Sequence, residues 1–215
     1  MKRSEIVWLV IVLFFFAIGI VAYPQMPERM ASHWNAAGEV NGYSPRLWGV
    51  FLVPLIYAGL VLLFIAIPRI DPLRANIAQF RRYYDGFVYV FSVFFLGVYL
   101  QTILWNAGLR VSPNVLFPLG LGLLFFYMGI LCEHARRNWF IGIRTPWTLS
   151  SENVWNKTHR IGAKLFKIAG IISILGVFFG SYAVWFAVAP AIAVSAYTVV
   201  YSYLEYQKEM KQGSR

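Results

Sequence analysis

The stretch IAGIISILGVFFGSYAVWFAVAPAIAVSAYTVVYSYL, residues 168–204, runs for 37 residues without a charged side chain. As one α-helix it would be about 55 Å long, at about 1.5 Å per residue, whereas the hydrocarbon core of a bilayer is about 30 Å thick. The stretch is therefore predicted to fold as two membrane spans, at about 168–185 and 186–204, with a tight turn near Gly180-Ser181-Tyr182.

Four shorter apolar segments precede this stretch, and each is close to the roughly 20 residues that cross a bilayer as a helix. They lie at about 6–23, 47–67, 87–105 and 115–132. The third carries three polar exceptions, Ser92, Gln101 and Thr102. Together the segments predict an all-α polytopic membrane protein, a six-transmembrane-helix bundle that forms a single membrane domain over residues 1–215.

Small residues in the last apolar stretch indicate a place where helices come close. Gly176 and Gly180 form a G-x-x-x-G motif, which permits close contact between helix backbones. Because glycine is common in membrane spans, we expect this contact within the chain, and a homo-oligomer is left open.

The overall composition excludes several other classes of protein. Of the 215 residues, 59% are hydrophobic and 13% are charged, against about 25% charged in a typical soluble domain. A soluble cytosolic enzyme and a disordered chain are both excluded by this balance. The single cysteine, Cys132, cannot form an internal disulfide, which excludes a disulfide-stapled secreted domain.

The net charge of +10 is distributed unevenly along the chain. When the loops are assigned to alternate sides of the six predicted spans, 16 of the 19 Lys and Arg residues lie on one side. By the positive-inside rule this side faces the cytoplasm, so both termini are predicted to be cytoplasmic in a multi-pass plasma-membrane protein. The excess of Lys and Arg therefore reports on membrane topology. The expected partner is the lipid bilayer, and we expect no direct binding of nucleic acid.

The first loop, residues 24–46, is predicted to lie outside the cell and to fold compactly. Its Asn and Gly residues accept a positive φ at little cost, which is typical of tight turns. Glu28, His33 and Glu39 are its candidate metal ligands or acid–base groups, but their spacing matches no metal motif. We expect these side chains to close the loop by hydrogen bonds, without a metal or another cofactor.

The fourth loop, residues 133–167, is predicted to be cytoplasmic. Ser150 resembles a helix N-cap, with Glu152 in the first turn of the helix that follows. The basic face of this amphipathic helix is formed by Lys157, Arg160, Lys164 and Lys167. Such a helix is expected to lie on the anionic inner leaflet, and the alternative is a docking surface for a cytoplasmic partner.

The sequence carries no signature of a known enzyme class. It has no Walker A motif, no G-x-S-x-G and no H-E-x-x-H. No Asp, Glu, Lys, Arg or His lies near the middle of a predicted span, which argues against an ion-coupled transporter. We therefore expect no catalytic residue and no enzymatic activity.

Two motifs in the loops resemble those of a known family. The outer segment Met26–Tyr43 resembles an uncharacterised membrane-associated domain with the pattern P-x(5)-H-[WF]-N-x(2)-G-x(3)-G. The inner segment Asn138–Leu149, followed by W-x-x-T-x-R at Trp155–Arg160, resembles the signature of the SdpI family. The order of the motifs, the number of spans and the length agree with that family over essentially the whole chain.

The resemblance implies a membrane immunity protein that gives resistance to a secreted antimicrobial peptide toxin. It also implies signal transduction, in which the inner loop holds a cytoplasmic transcriptional repressor at the membrane. The outer motif residues, which would face the toxin, are His33, Trp34, Asn35, Gly38 and Gly42. The inner motif residues, which would dock the partner, are Asn138, Gly142, Arg144, Thr145, Pro146, Trp147 and Trp155.

Three other interpretations of the same residues stay open. The chain could be a membrane transporter that exports or flips a toxic peptide or lipid, with two copies forming one path. It could be a lipid-handling membrane enzyme of unknown substrate that uses His33 and the two Glu residues outside, together with Arg144 and His159 inside. The Asn, Gly, Pro and Trp residues could also serve only to fold the two loops.

Overall fold

The computed structural model describes residues 2–213 and is largely α-helical. Residue 1 and residues 214–215 of the predicted domain lie outside the described residues. The helices are α1 (Arg3–Ala22), α2 (Arg46–Ile70), α3 (Arg74–Gln79), α4 (Arg81–Asn106), α5 (Pro113–His134), α6 (Pro146–Ser150), α7 (Glu152–Leu175) and α8 (Ala183–Gly213). Two strands, β1 (Arg29–Trp34) and β2 (Val40–Pro45), lie between α1 and α2.

Five helical stretches in residues 2–213 are long and apolar enough to cross a membrane. They are Arg3–Gln25, Arg46–Ile70, Arg81–Asn106, Pro113–His134 and the 61-residue stretch Glu152–Gln212. The predicted all-α polytopic membrane fold is thereby confirmed. The exact number of six crossings and the cytoplasmic position of both termini stay predictions.

The 61-residue stretch folds back on itself instead of running straight. Its chain direction reverses in the 3-10 segment Gly176–Tyr182, where Gly180 has φ +55° and ψ −119°. An ion pair far from this turn joins Lys157 of α7 to Glu205 of α8 at 2.9 Å, so α7 and α8 run antiparallel. The predicted G-x-x-x-G motif thus lies in the reversal itself and not along a helix–helix seam.

The loop between α1 and α2 forms a β-hairpin, which the sequence pattern did not predict. Its antiparallel register pairs Arg29 with Pro45 and Trp34 with Val40. The C-terminal residue of α4, Asn106, holds the hairpin through both backbone groups of Ala31, at 2.8 Å from its N–H and 3.0 Å from its carbonyl oxygen. The hairpin is therefore part of the fold and not a slack connection.

A buried carboxylate joins three helices at the opposite end of the bundle. Glu5 of α1 is 1% exposed and accepts hydrogen bonds from Arg69 of α2 at 2.6 Å and from Arg81 of α4 at 3.1 Å. Arg81 also pairs with Asp85 at 2.5 Å. Because each buried charge has a partner of opposite sign, this network avoids the cost of an isolated buried ion.

Helices α5 and α7 approach each other more closely than side chains would permit. A Cβ atom on Gly170 would lie 2.6 Å from the carbonyl oxygen of Gly122, and one on Gly122 would lie 2.7 Å from the carbonyl oxygen of Gly170. One heptad nearer the loop 133–167, a Cβ atom on Gly129 would lie 2.6 Å from the carbonyl oxygen of Ala163. Small residues in both helices thus form a seam of backbone contact.

Because of this seam, we expect one added methyl group to have a large effect on the stability of the protein. The substitution Gly170→Ala should lower the free energy of unfolding by about 1–3 kcal/mol, because neither backbone can move away without disturbing the other contacts. The measurement is an SDS titration of the purified protein in detergent micelles, followed by circular dichroism. The matched control is Gly59→Ala in α2, where nothing lies within 4 Å of the added Cβ. Equal stability of the two variants would contradict the proposed seam.

Candidate functional site

The tip of the outer hairpin is built by Asn35, Gly38 and Glu39. The side-chain oxygen of Asn35 accepts from the backbone N–H of Glu39 at 2.9 Å, and its amide nitrogen donates to the carboxylate of Glu39 at 3.0 Å. Gly38 has φ +82°, a conformation that favours glycine. Asn35 and Gly38 therefore shape the turn, and the Glu39 carboxylate is already engaged.

His33 and Gly42 face each other across the two strands. A Cβ atom on Gly42 would lie 2.8 Å from the Cβ of His33, so the glycine leaves room for the imidazole. The exposed His33 places its Nδ1 at 2.5 Å from Oδ1 of Asn41. Within residues 2–213, no group of three His, Cys, Asp or Glu side chains is arranged to hold a metal ion.

A cavity of about 440 Å³ lies beneath the hairpin, between β1 and the nearby ends of α2, α4, α5 and α8. His33, Trp34 and Asn35 contribute to its wall. Its apolar lining includes Val53, Val98, Phe117, Pro118 and Val184. The structure thus brings three of the predicted outer residues to one cavity, whereas Gly38 and Gly42 act through the backbone.

Two polar groups of this cavity have no hydrogen-bond partner among the described residues. Gln101 of α4 is 2% exposed, and its Oε1 accepts no hydrogen bond. The indole Nε1 of Trp34, whose ring packs edge-on against Trp105 at 5.5 Å, is also buried without an acceptor. An unsatisfied buried polar group costs about 1–3 kcal/mol. Both atoms are themselves buried, so a ligand in the cavity reaches them only when the side chains turn, and the cavity is a candidate binding site through the residues that line it.

Gln101 was not among the sequence-predicted site residues. Its signal in the sequence is a long polar side chain in an otherwise apolar span, where such groups are rare and tend to be functional. Its neighbour Thr102 carries the same signal, but the Thr102 hydroxyl donates to the carbonyl oxygen of Val98 in its own helix at 3.0 Å. Only the structure separates the satisfied side chain from the unsatisfied one.

On the other side of the bundle, Asn138 organises the inner loop. It is 0% exposed, and its amide nitrogen donates to the carbonyl oxygens of Arg136 at 2.8 Å and Ile141 at 2.9 Å. Its Oδ1 accepts from the backbone N–H groups of Phe140 at 3.0 Å and Ile141 at 2.6 Å. All the hydrogen-bonding capacity of this side chain is used inside the loop.

Gly142, Trp155 and His159 form the second part of the inner loop. Gly142 has φ +108°, and a Cβ atom there would collide with Nε2 of His159. That nitrogen accepts from the backbone N–H of Ile143 at 3.0 Å, while Nδ1 lies 2.9 Å from the carbonyl oxygen of Trp155, so the ring is neutral with its proton on Nδ1. The indole of Trp155 stacks on this ring and donates to the carbonyl oxygen of Ala135 at 3.0 Å.

Thr145 and Ser151 cap the two helices that follow the loop. Thr145 accepts at its hydroxyl from the backbone N–H of Thr148 at 3.2 Å and contacts Ser202 of α8 at 3.0 Å. Ser151 caps α7 by accepting from the N–H of Val154 at 3.2 Å. The predicted cap at Ser150 is therefore wrong by one residue, because Pro146 starts a separate short helix that ends at Ser150.

The remaining inner residues divide by exposure. Arg144 and Pro146 are exposed, and Trp147 is half-buried against Tyr203 at 5.1 Å between ring centroids. Trp139, which was absent from the predicted site, is 52% exposed, and its carbonyl oxygen accepts from Arg144 at 3.0 Å. The accessible surface of the inner motif therefore consists of these side chains, whereas the buried Asn138, Thr145 and Trp155 hold its shape.

Comparison with known protein families gives two matching regions, one that contains the outer loop and one that contains most of the inner loop. Residues 134–202 match the SdpI/YfhL protein family, and residues 10–58 match a domain of unknown function (DUF1648). Immunity protein SdpI of Bacillus subtilis (strain 168) is 26% identical over 207 residues, which cover 96% of this chain and 97% of that protein. No solved structure matches the chain significantly.

The conformation of Gly142 leads to a prediction for the inner loop. The substitution Gly142→Ala combines an unfavourable φ with displacement of His159, so it should destabilise the closed loop by about 1–3 kcal/mol. Trypsin should then cleave after Arg144 faster than in the wild type, by about tenfold for each 1.4 kcal/mol. The control is Gly108→Ala, which has φ +98° but no atom within 4 Å of the added Cβ. An unchanged rate in Gly142→Ala would show that the loop does not depend on this contact.

Proposed function

We propose that this chain, whose residues 134–202 match the SdpI/YfhL protein family, is a membrane immunity protein that gives resistance to a secreted peptide toxin. The observation that carries the proposal is the end-to-end similarity to Immunity protein SdpI, which covers 96% of this chain and 97% of the relative. A multi-pass location in the plasma membrane follows from the apolar helices and from this relationship.

The cavity beneath the hairpin is the proposed binding site for the toxin. A peptide unit has one N–H donor and one C=O acceptor, which would pair with the buried Oε1 of Gln101 and Nε1 of Trp34 once these side chains turn toward the cavity that they line. The apolar lining would take a hydrophobic side chain of the same peptide. His33 and Asn35, at the rim, are proposed to position the hairpin over the bound segment.

The accessible part of the inner loop is the proposed docking surface for a cytoplasmic repressor. Arg144, Trp139 and Trp147 combine a cation with two aromatic rings, a composition that is enriched at protein interfaces. An acidic partner would complement the basic side of the protein. The proposed role on both faces is binding, without catalysis.

The immunity proposal is tested by a challenge assay. A Bacillus subtilis strain that lacks its own immunity protein is given this chain and is grown with its starving parent strain. A second arm applies a panel of cationic and hydrophobic peptides. We expect the wild type to raise the tolerated dose of toxin, with membrane expression matched by immunoblot. A well-inserted wild type that protects in neither arm would contradict the proposal.

The toxin site is tested by Gln101→Leu in the same assay. This change removes the unpartnered Oε1 at the cost of one long hydrogen bond, from the amide nitrogen to the carbonyl oxygen of Val111 at 3.4 Å, so stability should be largely kept. We expect protection to fall by about tenfold, the effect of one lost hydrogen bond at the upper end of its usual range. Thr102→Val is the matched control, since Thr102 lines the same cavity with a hydroxyl that is already bonded.

The docking surface is tested separately with Arg144→Gln. Among residues 2–213 the Arg144 side chain hydrogen-bonds only to the carbonyl oxygen of Trp139, so the loop should keep its fold. We expect the variant to protect cells as the wild type does but to lose toxin-dependent recruitment of a protein to the membrane fraction. Recruitment that is equal in both proteins would remove Arg144 from the proposed surface.

A further inference from the structure

A second cavity, of about 640 Å³, lies at the opposite end of the bundle from the hairpin. It is enclosed by the junction of α3 and α4, the C-terminal end of α5 and one face of α7. The α7 wall is formed by Asn156, Arg160, Lys164 and Lys167, which follow each other at helical spacing on a single face. Arg136, just after α5, adds a further cation to the lining.

The cations of this cavity are largely without carboxylate partners. Lys167 pairs with Glu133 at 2.5 Å. Within residues 2–213, no carboxylate lies within ion-pair distance of Arg136, Arg160 or Lys164. The lining therefore has four cations and one carboxylate. By contrast, Lys157, which points away from the cavity toward α8, pairs with Glu205 at 2.9 Å.

The other groups of the lining add no compensating negative charge. Both ring nitrogens of His159 are engaged with backbone groups, as described above. The ring of His134 stacks on Tyr83 at 3.5 Å, with Nδ1 at 2.9 Å from the carbonyl oxygen of Ile130. The buried residues of the lining include Phe80, Cys132 and Ala163 beside the neutral His159. The cavity therefore combines a cationic mouth with an apolar floor.

We propose that this cavity binds the phosphate group of an anionic ligand. Arginine donates in a planar fork that matches phosphate oxygens, and lysine adds a point charge, so Arg136, Arg160 and Lys164 suit a phosphate between them. The cavity ends at Lys167, next to the predicted start of the span at 168, which is the level of lipid headgroups. The ligand is the headgroup of an anionic phospholipid or a soluble phosphate, and the apolar floor favours the lipid.

The test measures ligand binding to the purified, full-length protein in detergent by native mass spectrometry. The ligands are phosphatidylglycerol, zwitterionic phosphatidylcholine and inorganic phosphate. We expect phosphatidylglycerol to bind about tenfold more tightly than phosphatidylcholine, and inorganic phosphate to compete with it. The double variant Arg160→Gln/Lys164→Gln should lose about tenfold or more in affinity for phosphatidylglycerol. Both side chains are exposed and make no ion pair, so the variant should fold.

The matched control removes two charges from the same predicted side of the membrane. Arg3→Gln/Arg82→Gln affects two exposed cations that lie outside the cavity. We expect its affinity to equal that of the wild type. An equal loss in both double variants would overturn the proposal, because it would indicate diffuse attraction to the basic surface. Equal binding of the two lipids by the wild type, without binding of phosphate, would also overturn it. Binding of phosphate without the lipid would support the site and identify a soluble ligand.

Discussion

The close backbone contact between α5 and α7 is the constraint on which both the inner loop and the basic cavity depend. At Gly122 and Gly170 the two helices lie too close for any side chain to intervene, so neither can rotate or slide without a clash. The distance that residues 135–151 must bridge is thereby fixed. Because part of this loop is buried, its backbone N–H and C=O groups need hydrogen-bond partners within the protein. Asn138 supplies such partners to the backbone of Ile141. The same contact sets the separation of the walls of the basic cavity.

The two motif-bearing regions differ in how many of their polar groups are hydrogen-bonded, although the buried Thr158 hydroxyl of the inner motif also has no partner among the described residues. In the inner loop, the side chains of Asn138, Thr145 and His159 are hydrogen-bonded within the protein and hold the shape of the loop. The exposed Arg144 and Trp139 are the side chains that can contact other molecules. Beneath the outer hairpin, by contrast, buried polar atoms are left without partners. A saturated network gives rigidity, whereas an unsaturated one has a free energy that a ligand can lower.

Hydropathy was enough to predict the membrane helices, because the length of an apolar segment reports directly on what the bilayer requires. The outer hairpin was not predictable in this way, since β1 lacks a regular alternation of buried and exposed residues and Asn106, which anchors the hairpin, lies 75 residues from Ala31 in sequence. The G-x-x-x-G motif drew attention to Gly176 and Gly180, but the close contact involves glycines from two distant helices. Which helices pack against each other cannot be inferred from a single sequence. Gln101 was visible only as an exception in an apolar span, because whether an amide is satisfied depends on atoms far away in the chain.

The carboxylate near the start of the chain has a consequence for the order in which the protein is made. Glu5 emerges from the ribosome 76 residues before Arg81, so during synthesis the first helix enters the bilayer with its acidic group still unmatched. Until Arg69 of α2 and Arg81 of α4 have been made, the carboxylate is expected to stay in the hydrated headgroup layer, where the free energy of keeping it ionised is low. Assembly of the first half of the bundle is therefore timed by translation. Glu5 can pair first with Arg69 of α2, and its network becomes complete only when Arg81 of α4 has been made.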